Sequence, residues 1–120
     1  MREGDCMKNK ASLKHLPINY PVKLASLIHP KGNQVLSMAL SNSDNVQMSL
    51  FSFSTGETVS EEKYLGDTMY LMIEGETKIR FEDREVFMQE GDVLSIPAMV
   101  GHGIGGGKSF KILQITLLND

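Results

Sequence analysis

The stretch Gly91-Asp92-Val93-Leu94-Ser95-Ile96-Pro97-Ala98, followed by His102, decides how the rest of the chain is read. Glu90-Gly91-Asp92 is turn chemistry, because glycine takes backbone conformations that a Cβ makes costly and aspartate bonds to its own backbone. Val93 to Ile96 is a short apolar run with β-branched ends. Pro97 removes a backbone donor, ends the run and fixes the approach to His102. A unit so short and so sharply bounded has no room for a stable helix.

The same grammar continues outward in both directions. Short runs cover Val22 to His29, Gln34 to Leu40, Val46 to Phe53, Thr58 to Tyr64, Thr68 to Ile73, Thr77 to Phe81, Glu85 to Met88 and Phe110 to Leu118. Turn-forming clusters separate them, among them Pro30 to Asn33, Ser41 to Asn45, Thr55-Gly56, Gly66-Asp67, Glu74 to Glu76 and Glu82 to Arg84. Punctuation roughly every eight to twelve residues is the pattern of an all-β sandwich or barrel. In the run from Thr77, Ile79 and Phe81 share one face while Lys78, Arg80 and Glu82 share the other, which predicts a strand with one wet face. In the run from Phe110 both faces are largely apolar, which predicts a central strand. Gly103 to Gly107 reads as a flexible loop.

Ahead of these runs, residues 1–20 are polar and interrupted by Pro17, and Pro21 follows them. They are expected to form an extended arm, with residues 21–120 as one barrel domain. A short helix over Asn9 to Leu16 is the only helical candidate. Met7, followed by Lys-Asn-Lys, is a second plausible start. A chain of 120 residues can bury a core without cross-links.

Composition excludes several classes of function. A net charge of −3 and scattered basic residues argue against nucleic acid or an acidic membrane surface as partner. No apolar run approaches the length of a membrane span, and no signal peptide is visible. One cysteine, Cys6, allows no internal disulfide, which suits the cytoplasm. Cys6 has no activating neighbour and is read as inert. The Gly107-Lys108-Ser109 tail of the glycine cluster imitates a phosphate-binding loop. His102 stands where that motif needs its first glycine, and a strand follows where it needs a helix.

Two segments resemble the motifs of the cupin superfamily. Gly56 and Gly75 frame the first motif at the family spacing, and Gly91, Pro97 and His102 fall on the marks of the second. The resemblance covers roughly residues 45 to 118 and extends to a group of small single-domain bacterial cupins. It implies an all-β fold, an antiparallel double-stranded β-helix or jelly-roll barrel. It also implies four metal-ligand positions, which here are Glu62, Tyr64, Thr68 and His102. The family carries two histidines and a glutamate at the first three, so only His102 keeps its type. Transition metals want converging imidazole, carboxylate or thiolate donors. The expectation is therefore no cofactor, with a weakly bound divalent metal at Glu62 and His102 as the alternative.

The resulting expectation for function is a barrel that binds an unknown small molecule. Its pocket would be lined by Tyr64, Thr68, Tyr70, Met99, Ile104 and Gln114, with Met72 and Phe110 also inside. Glu62 and His102 would supply the polar handles. Two alternatives stand beside it. One is a metal-assisted or Glu62–His102 acid–base enzyme of isomerase-like or dioxygenase-like chemistry. The other is a structural or regulatory homodimer without a ligand. A homodimer is expected in any case, with Val22 to His29 as a strand covering an edge. Met48, Met69, Met72, Met88 and Met99 are expected to fill the core.

Overall fold

The computed structural model describes residues 12–118. The first part of the expected arm, with Cys6 and the second start at Met7, lies outside the described residues. Residues 12–20 form bends without helix or strand.

Nine strands are found among the described residues, in chain order β1 (Val35–Asn42), β2 (Val46–Phe53), β3 (Thr58–Glu62), β4 (Thr68–Glu74), β5 (Glu76–Arg80), β6 (Glu85–Gln89), β7 (Val93–Ile96), β8 (His102–Gly105) and β9 (Phe110–Leu117). They form a five-stranded sheet in the order β1-β2-β9-β4-β7 and a four-stranded sheet in the order β3-β8-β5-β6. Every pairing is antiparallel. The two sheets face each other as a double-stranded β-helix. Gly56, Gly75 and Gly91 turn the chain at φ of 85°, 86° and 91°, the left-handed region that L side chains avoid.

Strand β9 is central, as its two apolar faces predict. Phe110 and Ile112 point between the sheets, into a core with Phe53, Tyr70, Met72, Ile79, Met88, Ile96 and Ile104. Leu113 and Ile115 point outward, into a second apolar cluster with Ile28, Leu40 and Leu50. That outer cluster would face water on a bare sheet. Leu16, Leu24 and Leu27 pack against it instead, so the N-terminal segment covers the face. Lys111, which is buried, fastens this cover by donating from Nζ to the Ala25 carbonyl at 2.7 Å, with Glu74 3.6 Å away.

Three expectations need correction. Val22 to His29 is not a strand: Leu24–Leu27 is a single 3-10 turn, opened by Ser26 bonding back to the Lys23 carbonyl through both its amide and its hydroxyl. Its leucines need one face of a compact turn rather than an alternating ladder. The glycine-rich segment is not a loop throughout, because His102–Gly105 is strand β8 and is buried along its whole length. Glycine is required there by proximity: a Cβ on Gly103 would lie 2.5 Å from the Ser60 carbonyl oxygen of the paired strand. The methionines also divide. Met72 and Met88 are core, while Met69 and Met99 are exposed. No helix of the described residues is long and apolar enough to cross a membrane.

Candidate functional site

The site begins with an irregularity in β3. Val59 pairs with Ile104 of β8, and the next matched pair is Glu62 with His102. Three steps along β3 thus oppose two along β8, which is a β-bulge. Val59 already faces the interior. In a regular strand Glu61 would follow it inward and Glu62 would face water. The bulge shifts the alternation by one, and Glu62 turns inward instead. Tyr64, two residues on, follows the same side.

The five-stranded sheet supplies the opposite wall. Gln114 of β9 lies opposite Tyr70 of β4, and Ile112 lies opposite Phe51 of β2. All four point between the sheets. The result is a cavity of about 250 Å³ lined by Val35, Phe51, Phe53, Val59, Glu62, Tyr64, Tyr70, Ile104, Ile112 and Gln114. Six of these side chains are apolar, and Glu62 carries the only charge on the wall among the described residues.

A chain of polar contacts runs along one side. The Tyr64 hydroxyl donates to Glu62 Oε1 at 3.3 Å. The Gln114 amide donates from Nε2 to Thr116 Oγ1, also at 3.3 Å. The Tyr70 hydroxyl lies 2.9 Å from Nε2 of His102, and Nδ1 of His102 lies 3.1 Å from the Val100 carbonyl. A carbonyl can only accept, so in the neutral imidazole Nδ1 carries the proton and Nε2 accepts from Tyr70. Burial raises the pKa of the Tyr64 phenol, opposed by the Gln114 amide and reinforced by the negative charge of Glu62. Burial also raises that of Tyr70 strongly, with Tyr64 and Glu62 adding to it.

The residues expected at the site therefore separate into groups. Glu62, Tyr64, Tyr70, Ile104 and Gln114 line one cavity. His102 stands behind Tyr70, with its ring 5.8 Å from that of Tyr64. It is buried and borders the cavity without lining it. Thr68 is buried out of reach, its hydroxyl 2.9 Å from that of Thr116. Met99 turns outward at φ 67° with its amide bonded to the Tyr64 carbonyl, and its side chain is exposed. Met72 and Phe110 belong to the core and are not on the wall. Sequence reasoning does not anticipate Val35, Phe51, Phe53, Val59 and Ile112 on the wall. The alternation of Phe51 and Phe53 in β2 is the available signal, but it needs the register with β9 to acquire a direction.

Glu62 and His102 are cross-strand neighbours, yet no hydrogen bond among the described residues joins them. Each has turned to a different phenol, Glu62 to Tyr64 and His102 to Tyr70. The carboxylate and imidazole of the acid–base alternative are therefore not hydrogen-bonded to each other. The same geometry tests the four motif positions as metal ligands. Both nitrogens of His102 are engaged, Tyr64 is held in its protonated form, and the Thr68 hydroxyl is tied to Thr116. Among the described residues no three His, Cys, Asp or Glu side chains converge. This donor set does not fit a transition metal.

Comparison with known proteins agrees with the architecture. Neither a family model nor a curated protein matches the sequence. Among solved structures, the chain is similar to a cupin superfamily protein from Desulfitobacterium hafniense, with 55% identity over 91% of this chain and 100% of that one, at a TM-score of 0.88. It is similar to a cupin 2 conserved barrel domain protein from Leptotrichia buccalis, with 25% identity over 78% of this chain and 46% of that one, at a TM-score of 0.75. An RmlC-like cupin protein from Desulfovibrio desulfuricans shares the fold at 19% identity over 82% of this chain and 96% of that one, at a TM-score of 0.72.

Proposed function

Since this chain belongs to the cupin superfamily, we propose that its barrel binds a small organic molecule in the cavity beside Glu62, without a tightly held metal. The observation that carries the reading is the make-up of that cavity: six apolar side chains around a short polar row of Glu62, Tyr64, Tyr70 and Gln114. Apolar walls with a few placed polar groups are the usual construction of a ligand site. At about 250 Å³ the space lies just below the roughly 300–1,000 Å³ of common ligand pockets, so the ligand is small. The engagement of both His102 nitrogens supports the clause without metal.

The proposal includes two further parts. Two copies of the chain associate as a homodimer. The compartment is the cytoplasm, in keeping with a single cysteine.

The test is a fragment screen on isotope-labelled protein, read by amide and methyl chemical shifts. Binding fragments are expected to move resonances of Val35, Val59, Ile104 and Ile112 together. Ile104→Trp, which fills the cavity, is expected to abolish those shifts while the remaining spectrum stays dispersed. A broad fragment set that moves none of these resonances would overturn the reading.

A further inference from the structure

Both phenol protons of the cavity wall are committed to protein acceptors. The Tyr64 hydroxyl proton goes to Glu62, and the Tyr70 proton goes to His102. The amide of Gln114 donates to Thr116 Oγ1. Two acceptors on residues of the wall, Oε2 of Glu62 and Oε1 of Gln114, have no protein partner among the described residues. Both keep accessible surface, since the fully buried unpaired side-chain atoms among the described residues are Ser52 Oγ and Thr77 Oγ1. A ligand that satisfies this wall must bring donors.

Charge points the same way. Glu62 is the single charged group on the wall, and no lysine or arginine among the described residues lines the cavity. Arg80, on the neighbouring strand β5, is turned away, with its guanidinium bonded to the Gly105 carbonyl at 2.7 Å and to Thr58 Oγ1 at 2.8 Å. Four aromatic rings, those of Phe51, Phe53, Tyr64 and Tyr70, contribute to the lining. Aromatic faces attract cations, most strongly where water is excluded. An anionic ligand would meet a carboxylate, unpaired acceptors and ring faces, all of them repulsive.

We propose that the cavity selects a small organic cation, an ammonium group on an apolar body, with Glu62 as its counter-ion. The inference rests on the reading of the cavity as a ligand site and adds the ligand's charge and hydrogen-bonding character. The ammonium donates to the unpaired oxygens of Glu62 and Gln114, and the apolar body lies against Val35, Val59, Ile104 and Ile112.

The experiment compares three probes of one shape and different charge: benzylammonium, benzyl alcohol and benzoate, titrated at pH 7 into the full chain and read by calorimetry and by the cavity methyl resonances. Benzylammonium is expected to bind at least about tenfold more tightly than the alcohol, since a hydrogen bond to a charged group is worth more than one between neutral groups. Benzoate is expected to bind most weakly. In Glu62→Gln the advantage of the ammonium over the alcohol is expected to disappear. Equal binding of ammonium and alcohol, tighter binding of benzoate, or an ammonium advantage that survives in Glu62→Gln would each overturn the cation inference while leaving the cavity a ligand site. Failure of all three probes, together with a neutral fragment set, would overturn the ligand-site reading itself. The comparison of probes is made in the unaltered protein, so it decides the question whether or not the variant folds.

Discussion

Tyr70 and His102 join the two sheets through a single buried bond, 2.9 Å from phenol oxygen to Nε2. Tyr70 belongs to the five-stranded sheet and His102 to the four-stranded one. The bond crosses the apolar interior, where an unpaired imidazole nitrogen would be left without water. Tyr70→Phe preserves the ring and removes the hydroxyl. It is expected to cost about 1–3 kcal/mol of stability, measured by urea denaturation. A cost below a few tenths of a kcal/mol would show that the bond does not hold the sheets together.

Alkaline pH gives a second test of the same region. Tyr64 and Tyr70 are both raised above the ordinary phenol value of 10.0, chiefly by burial. Below that value the folded and unfolded chains hold the same protons at these groups, and their contribution to stability is whole. Above it the unfolded chain releases protons that the folded chain retains, so stability falls as pH rises. Thermal midpoints are expected to drop above about pH 10. Tyr70→Phe is expected to lessen the drop, although it begins from a less stable protein. An identical alkaline slope in wild type and variant would contradict the assignment.

Glycine positions separate by what a methyl group would meet. A Cβ on Gly66 would collide with the Leu117 carbonyl oxygen, whereas one on Gly32 would meet nothing within 4 Å. Gly66→Ala is expected to cost roughly 2–4 kcal/mol, because the backbone beside β9 must move. Gly32→Ala is expected to stay within about 0.5 kcal/mol of wild type. Equal stability of the two variants would refute the close approach at Gly66.

Metal addition tests the donor set. Zinc, nickel or ferrous iron, each tested against a chelator control, is expected to leave the thermal midpoint unchanged. A specific site at a hundredfold excess over its Kd would add about 2.7 kcal/mol. Stoichiometric metal retained through dialysis and lost in Glu62→Gln would show that the barrel holds a metal after all.

Association of two copies would draw on the outer face of the five-stranded sheet, where Val93, Leu117 and Met69 are 63%, 44% and 36% exposed. Sedimentation at micromolar concentration is expected to give the mass of a dimer, and Val93→Glu is expected to shift it toward the monomer. A monomer mass for the unaltered chain would rule the assembly out.

Much of this architecture is written locally. The runs at Val46 to Phe53 and Val93 to Ile96 coincide with β2 and β7, because alternation and turn residues act over a few positions. Strand β8 is hidden because its glycines are required by the neighbouring strand, which no local pattern reports. The turn at Leu24–Leu27 is hidden for a similar reason: its leucines answer to a sheet face built from residues far along the chain. In the cavity, Tyr64, Tyr70 and Ile104 are legible from the motif frame, whereas Gln114 reads from the sequence equally as an edge position. The bulge that turns Glu62 inward, and the two phenols that separate it from His102, are facts of register and contact.

Strand β9 lies at the centre of its sheet, yet it is the last of the described strands in the chain. During synthesis β2 and β4 emerge early with no partner for their facing edges, since each pairs with residues between Phe110 and Leu117. The larger sheet therefore cannot close until Phe110 to Leu117 has emerged. Until then the nascent chain carries two apolar strands with open edges, and such edges are the usual points of misassembly. A ribosome stalled ahead of Phe110 would hold a polypeptide whose larger sheet is still open between β2 and β4.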